Sequence, residues 1–316
     1  MHLLVLGDPD APHLSELSRL PADVRVTVGL DVDALRPAVS DVTGVLLMRG
    51  NHAQLKPLWR ELSALKWVHS LSAGVEQVLF DELIHSNVIL TNARGVYAPS
   101  LGEWVLGAML FFSKGHRRLV KAQEARRWER FTVDELAGKT VVILGYGEIG
   151  QEVARRARAM EMQVVGVRRR PAPDGVAQDV VGELQMLDVL PRADVVVCAL
   201  PSTLGTRKLI GGAQFKAMEK HPLFINVGRG DTVDERALME ALTSGQLRGA
   251  ALDVFETEPL PPDHALWAME NVLVSPHCAD QTDRWLHLST RFFVDNALRF
   301  ARGETLKNVV DKSAGY

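Results

Sequence analysis

Short apolar runs recur along the first third of the chain: LLVL (3–6), VRVTV (24–28), GVLLM (44–48), WVHSL (67–71) and VILT (88–91), each separated by stretches of helical or loop character. This rhythm of short aliphatic runs and longer spacers predicts parallel βα units. A second series begins after Lys139, with TVVIL (140–144), QVVGV (163–167), VVVCA (195–199), LFINV (223–227), AALD (250–253) and VLVS (272–275), enough strands for a complete doubly wound sheet. Between the two series, residues 100–128 read as one long helical segment, apolar at first (WVLGAMLFF) and then basic (KGHRRLVKAQEARR), suited to bridging domains or protomers. Near the end, Phe292, Phe293, Ala297 and Phe300 fall at helical spacing and predict a final amphipathic helix from about Asp283. The Pro-rich pieces RRPAPDG and EPLPPD read as loops.

Composition narrows the function. At 316 residues the chain exceeds the ~100–200 residues of a single domain, so two domains with separate cores are expected. A net charge of −3 with mixed signs argues against a nucleic-acid footprint, which calls for a basic face. Two cysteines, Cys198 and Cys278, cannot build a disulfide framework and match no zinc spacing, so a reducing, cytoplasmic setting without a structural metal is expected. The start MHLLVLGDPD lacks a basic leader, and no apolar run reaches the ~18 residues of a membrane span.

The chemistry concentrates at strand ends. GYGEIG (Gly145, Tyr146, Gly147, Glu148, Ile149, Gly150) directly follows TVVIL and opens the helical VARRARAM. Glycines there permit a tight turn, close backbone approach to a pyrophosphate and close helix packing, while the helix N-terminus favours negative charge. That context favours a dinucleotide over a plain glycine turn or another nucleotide-like ligand such as S-adenosylmethionine. His277 follows VLVS, Arg229 follows LFINV between Gly228 and Gly230, and Glu258 lies just beyond AALD. Strand ends of an open parallel sheet supply ligand contacts. An arginine can hold a carboxylate bidentately, and an imidazolium can deliver a proton near neutral pH.

These segments, in the order SAGVE (72–76), GYGEIG, ALPSTLGT (199–206), NVGRG (226–230), LDVFETEP (252–259) and SPH (275–277), resemble the D-isomer-specific 2-hydroxyacid dehydrogenases over nearly the whole chain. The resemblance implies an α/β fold of two domains, a Rossmann coenzyme domain (98–284) inserted in a flavodoxin-like substrate domain (1–97 and 285–316). It implies that Arg229 binds the carboxylate and keto oxygen of a small 2-keto acid, His277 is the acid/base and Glu258 its partner. Backbone amides around Ala73 and Gly74 would complete the substrate site. Asp253 would bond the nicotinamide carboxamide rather than serve as a helix-capping or turn aspartate, with Thr203, Val227 and Gly228 lining the same side. Relatives are usually homodimers, and Trp128 would reach a neighbouring protomer or simply pack.

Two departures sharpen the picture. An NAD-preferring site carries an acid about 20 residues past the glycine turn to bond the ribose 2′-hydroxyl. Here QVVGV ends in Arg168, Arg169 and Arg170, so NADP is expected over NAD, with Arg168 and Arg169 on the 2′-phosphate and Asp174 complicating the count. After the histidine stand Cys278, Ala279, Asp280 and Gln281. Asp280 is expected chiefly to cap the final helix, and otherwise to repel phosphorylated or dicarboxylate substrates, which disfavours phosphoglycerate dehydrogenase. With Tyr316 as the last residue, no regulatory domain is expected. The contrasting reading is a catalytically silent, corepressor-like dinucleotide sensor; formate or phosphonate oxidation on the same fold is another.

Overall fold

The computed structural model describes residues 1–48 and 50–315, which divide into two units, 1–97 with 282–316, and 98–281. In the first unit, strands β1 (His2–Leu6), β2 (Arg25–Gly29), β3 (Gly44–Leu47), β4 (Trp67–Ser70) and β5 (Ile89–Asn92) form a parallel sheet in the order β2-β1-β3-β4-β5. This is the flavodoxin-like order. Every residue of β1, β3 and β4 is buried, which explains why these strands read as continuous apolar runs rather than alternating ones. One face carries Leu4, Leu6, Val45, Leu47 and Val68, and the other carries Leu3, Val5, Leu46 and Trp67 beneath Phe293, Val294 and Ala297. Those last three lie on the helix Trp285–Ala301, so the C-terminal segment completes the core begun at the N-terminus. The expected helical spacers between strands shrink to single turns such as Val32–Leu35, Leu55–Leu58 and Asp81–Ile84.

In the second unit, β6 (Thr140–Leu144), β7 (Gln163–Val167), β8 (Asp179–Val181), β9 (Val195–Cys198), β10 (Leu223–Asn226), β11 (Gly249–Leu252) and β12 (Val272–Val274) form a parallel sheet in the order β12-β11-β10-β9-β6-β7-β8. Counting from β6, this is the Rossmann order with one further strand. The sequence pattern missed β8, a three-residue edge strand that opens on an exposed aspartate. The long segment expected over residues 100–128 breaks into helices Ala98–Ser113 and His116–Glu124. Gly115 turns the chain there with φ 64°, and Phe131 fills the space where a Cβ would sit, 2.8 Å from its ring. Trp128 lies in coil beyond the second helix, almost wholly exposed. The helix Ala98–Ser113 packs against Glu148–Ala159, the helix opened by GYGEIG. No helix among the described residues is long and apolar enough to cross a membrane.

His69 on β4 is fully buried against Trp67, Phe292 and Phe293, with its Nδ1 2.7 Å from the Thr91 hydroxyl. Burial pushes its pKa down to about 3, so the folded protein holds it neutral while the unfolded chain protonates it near 6.5. The unfolded state therefore binds the extra proton between those values, and stability falls as pH drops below about 6.5. Between pH 7.5 and 5, denaturant titrations of the wild type should lose roughly 2 kcal/mol more stability than those of His69→Asn. Equal losses in both proteins would remove this assignment.

Candidate active site

The glycine turn forms where β6 ends. The amides of Gly145 and Tyr146 both donate to the Val167 carbonyl, at 3.1 and 3.0 Å, which locks the turn to β7. Gly145 has φ 91°, and a Cβ on it would lie 2.5 Å from the Ala199 carbonyl oxygen. A Cβ on Gly150 would lie 2.7 Å from the Gly145 oxygen. Gly147, by contrast, is exposed and faces open space. The first and third glycines thus meet internal packing, while the second leaves room at the N-terminus of the helix Glu148–Ala159. That is the cradle a dinucleotide pyrophosphate requires, with Glu148 and Ile149 in the first helical turn. The Tyr146 side chain is buried, so only its backbone reaches the cradle.

Arg229 follows β10. Asn226, 1% exposed at the strand end, donates from Nδ2 to the Arg229 carbonyl (3.2 Å) and accepts the Gly228 amide on Oδ1 (3.0 Å). The Thr232 hydroxyl donates to the same carbonyl at 2.6 Å, and Arg229 Nη1 bonds the Gly228 oxygen at 2.8 Å. A Cβ on Gly228 would sit 2.5 Å from the Leu200 oxygen, and one on Gly230 would overlap the Phe255 carbonyl at 1.9 Å. Gly230 therefore lets the loop after β10 press onto the loop after β11 that carries Glu258. Val227 is buried beneath this turn, and Thr203 lies half-buried in the neighbouring loop with its hydroxyl 2.9 Å from that of Thr206.

Glu258 and His277 meet. His277 Nδ1 is 2.7 Å from Glu258 Oε2, and Glu258 Oε1 accepts the Phe255 amide at 3.0 Å. Partial burial raises the Glu258 carboxyl, but the bond from His277, the Phe255 amide and the charges of His277 and Arg229 outweigh it, and the carboxyl falls below its usual range. His277 adopts φ 51°, an unusual backbone for a residue with a Cβ. Asp253 holds it there. Its Oδ1 accepts the Ser275 hydroxyl (2.5 Å) and the amides of Cys278 (3.0 Å) and Ala279 (3.1 Å). Burial nonetheless pushes the Asp253 carboxyl up, against those donors. The sequence favours a coenzyme contact for Asp253 over a capping or turn role; the structure shows it anchoring the histidine turn, while Oδ2, with one longer contact of 3.3 Å, keeps acceptor capacity.

The remaining residues fall as follows. Arg168 is half-buried immediately past β7, its amide bonded to the Val181 carbonyl at 3.0 Å, and Arg169 and Arg170 are exposed. Ala73 and Gly74 follow β4 in the first unit, where the Asn92 side chain donates to the Ala73 carbonyl at 2.6 Å. The helix-capping expectation for Asp280 fails: the C-terminal helix starts at Trp285, and its N-cap, Arg284, makes no side-chain cap hydrogen bond. Asn226 and Ser275 were missed, although a polar residue closing an apolar strand was a readable signal for both.

Residues 106–279 match the family model for the D-isomer specific 2-hydroxyacid dehydrogenase, NAD binding domain. The chain belongs to the D-isomer specific 2-hydroxyacid dehydrogenases. It is 31% identical over 312 residues to a D-3-phosphoglycerate dehydrogenase of Methanocaldococcus jannaschii, spanning 98% of this chain and 59% of that longer protein. It is 32% identical over 261 residues to a glyoxylate reductase of Aeropyrum pernix, covering 78% of this chain and 77% of the relative. A solved NADPH-dependent glyoxylate/hydroxypyruvate reductase of Sinorhizobium meliloti, in complex with NADP and sulfate, superposes with a TM-score of 0.85 at 28% identity, covering 100% of this chain and 99% of that one.

The pairing of Glu258 with His277 predicts a titration. In His277→Ala the Glu258 carboxyl loses a bond and a charge that hold it down, so its NMR titration should move to higher pH than in the wild type. A shift downward, or none, would break the pair.

Proposed function

We propose that this chain reduces small 2-keto acids, glyoxylate, hydroxypyruvate or a similar monocarboxylate, to D-2-hydroxy acids with NADPH preferred over NADH. The observation that carries the reading is the 2.7 Å contact between His277 and Glu258 with Arg229 close enough to act on the same carboxylate. A bound nicotinamide coenzyme would supply hydride to the carbonyl carbon. With Nδ1 engaged by Glu258, His277 carries the transferable proton on Nε2, and that proton goes to the carbonyl oxygen as it becomes a hydroxyl. Arg229 holds the substrate carboxylate and stabilises charge developing on the keto oxygen. Residues 98–284 act as the coenzyme domain and 1–97 with 285–316 as the substrate domain. The carboxylate-oriented histidine with Arg229 near the same carboxylate favours this reading over a silent dinucleotide sensor.

Coenzyme choice rests on Arg168 and Arg169 just past β7, where guanidinium groups suit a 2′-phosphate and no acid occupies the strand end. Thr203, Val227, Gly228 and Asp253 would border the nicotinamide half. Asp280, three residues past His277, disfavours substrates with a second anionic group. The exposed Leu119 and Val120 on the helix His116–Glu124, with Trp128 beyond it, supply an apolar surface for a homodimer.

Steady-state rates over a keto-acid panel with both coenzymes should give the highest kcat/KM with NADPH and a short monocarboxylate; an absence of turnover with every substrate would overturn the enzyme reading. His277→Ala should lose roughly 10²–10⁴-fold in kcat while coenzyme binding, read by fluorescence, is kept. Arg168→Asp should weaken NADPH far more than NADH, and equal effects on both would place the 2′-phosphate elsewhere.

A further inference from the structure

Within the glycine turn, Tyr146 is 1% exposed, yet its hydroxyl donates to Asp174 Oδ2 at 2.7 Å. Asp174 lies 28 residues on, in the RRRPAPDG loop that begins with the three arginines. The ring reaches that loop by crossing β7 at Gly166, where a Cβ would stand 2.5 Å from Tyr146 Cγ. No other residue type leaves room for the ring at that point of the strand. The carboxylate at the far end is equally committed, because Asp174 Oδ1 accepts the amides of Val176 (3.0 Å) and Ala177 (3.2 Å). The loop is thus pinned at its start, by the Arg168 amide on the Val181 carbonyl, and near its end, by Tyr146.

An unengaged acid in this loop would do one of two things to the coenzyme site. It would pair with the neighbouring guanidinium groups, or it would accept the ribose 2′-hydroxyl as the acid of an NAD-preferring site does. We propose that Tyr146 is a positioning residue for coenzyme specificity, its hydroxyl holding Asp174 and the loop after β7 so that Arg168 and Arg169 face the 2′-phosphate of NADPH. The inference rests on the coenzyme reading above and adds the residue that enforces it. Burial raises the Tyr146 phenol well above its usual value and the bond to Asp174 raises it further, so it remains a protonated donor. The Asp174 carboxyl, although burial opposes this, is held below its usual range by that hydroxyl and the two turn amides, and so remains the acceptor.

The test is equilibrium binding of NADPH and NADH to the full chain and to Tyr146→Phe, Asp174→Ala and the double variant. Tyr146→Phe keeps the ring and should weaken NADPH about fivefold, as one lost hydrogen bond does, with a much smaller effect on NADH. Asp174→Ala should reproduce that pattern, and the double variant should be no weaker than either single one. Asp174 is exposed, so its variant keeps the test open should Tyr146→Phe fail to fold. Equal losses for both coenzymes would mean general loosening of the turn and would overturn the proposal. A loss confined to NADH in Asp174→Ala would assign the carboxylate to the ribose and overturn it as well. A wild type that prefers NADH overturns the coenzyme reading itself, whereas a wild type that prefers NADPH with a ratio unmoved by Tyr146→Phe overturns this inference alone.

Discussion

The Asp253 carboxylate, 2% exposed at the end of β11, gathers the Ser275 hydroxyl and the amides of Cys278 and Ala279 onto one oxygen. His277 sits inside that turn with a left-handed backbone, which costs a residue bearing a Cβ about 1–2 kcal/mol. Charge-assisted bonds from three donors are strong enough to impose such a conformation, and the imposed conformation aims the imidazole at Glu258. Burial raises the Asp253 carboxyl more than its donors lower it, so the three bonds offset only part of the desolvation that holding the turn costs. The position of the His277 imidazole is therefore decided one strand away from the histidine itself.

Around this anchor the site is assembled by close backbone approach. Gly230 against Phe255 and Gly228 against Leu200 bring three strand-end loops together at distances no side chain tolerates. Asn226 and Thr232 then satisfy the backbone groups that such tight packing would strand without water. The glycine turn stands after β6 on the same sheet, and all strands of that sheet are parallel, so the cradle and the Arg229, Glu258 and His277 loops leave the sheet at one edge.

Sequence patterning carried most of this architecture. Short apolar runs marked every strand except β8, most of them as the uninterrupted aliphatic stretches that burial on both faces leaves, and the strand ends pointed to Arg229, Glu258 and His277. Local signals failed where geometry is decided by tertiary contact. The break at Gly115 hides in a helix-compatible stretch because the Phe131 ring that fixes it lies beyond the segment. Asp280 reads as a helix cap from its spacing, yet the helix begins later, at Trp285. Which turn Asp253 holds was invisible because its partners lie more than 20 residues away.

Gly166 and Tyr146 have a bearing on how such a chain changes over time. The ring occupies the volume that any side chain at position 166 would need, so the two positions form one unit of substitution rather than two. A lineage that placed even alanine at 166 would first have to shrink or redirect residue 146. Sequences drifting from this one are therefore expected to alter both sites together or neither, a covariation written by excluded volume alone.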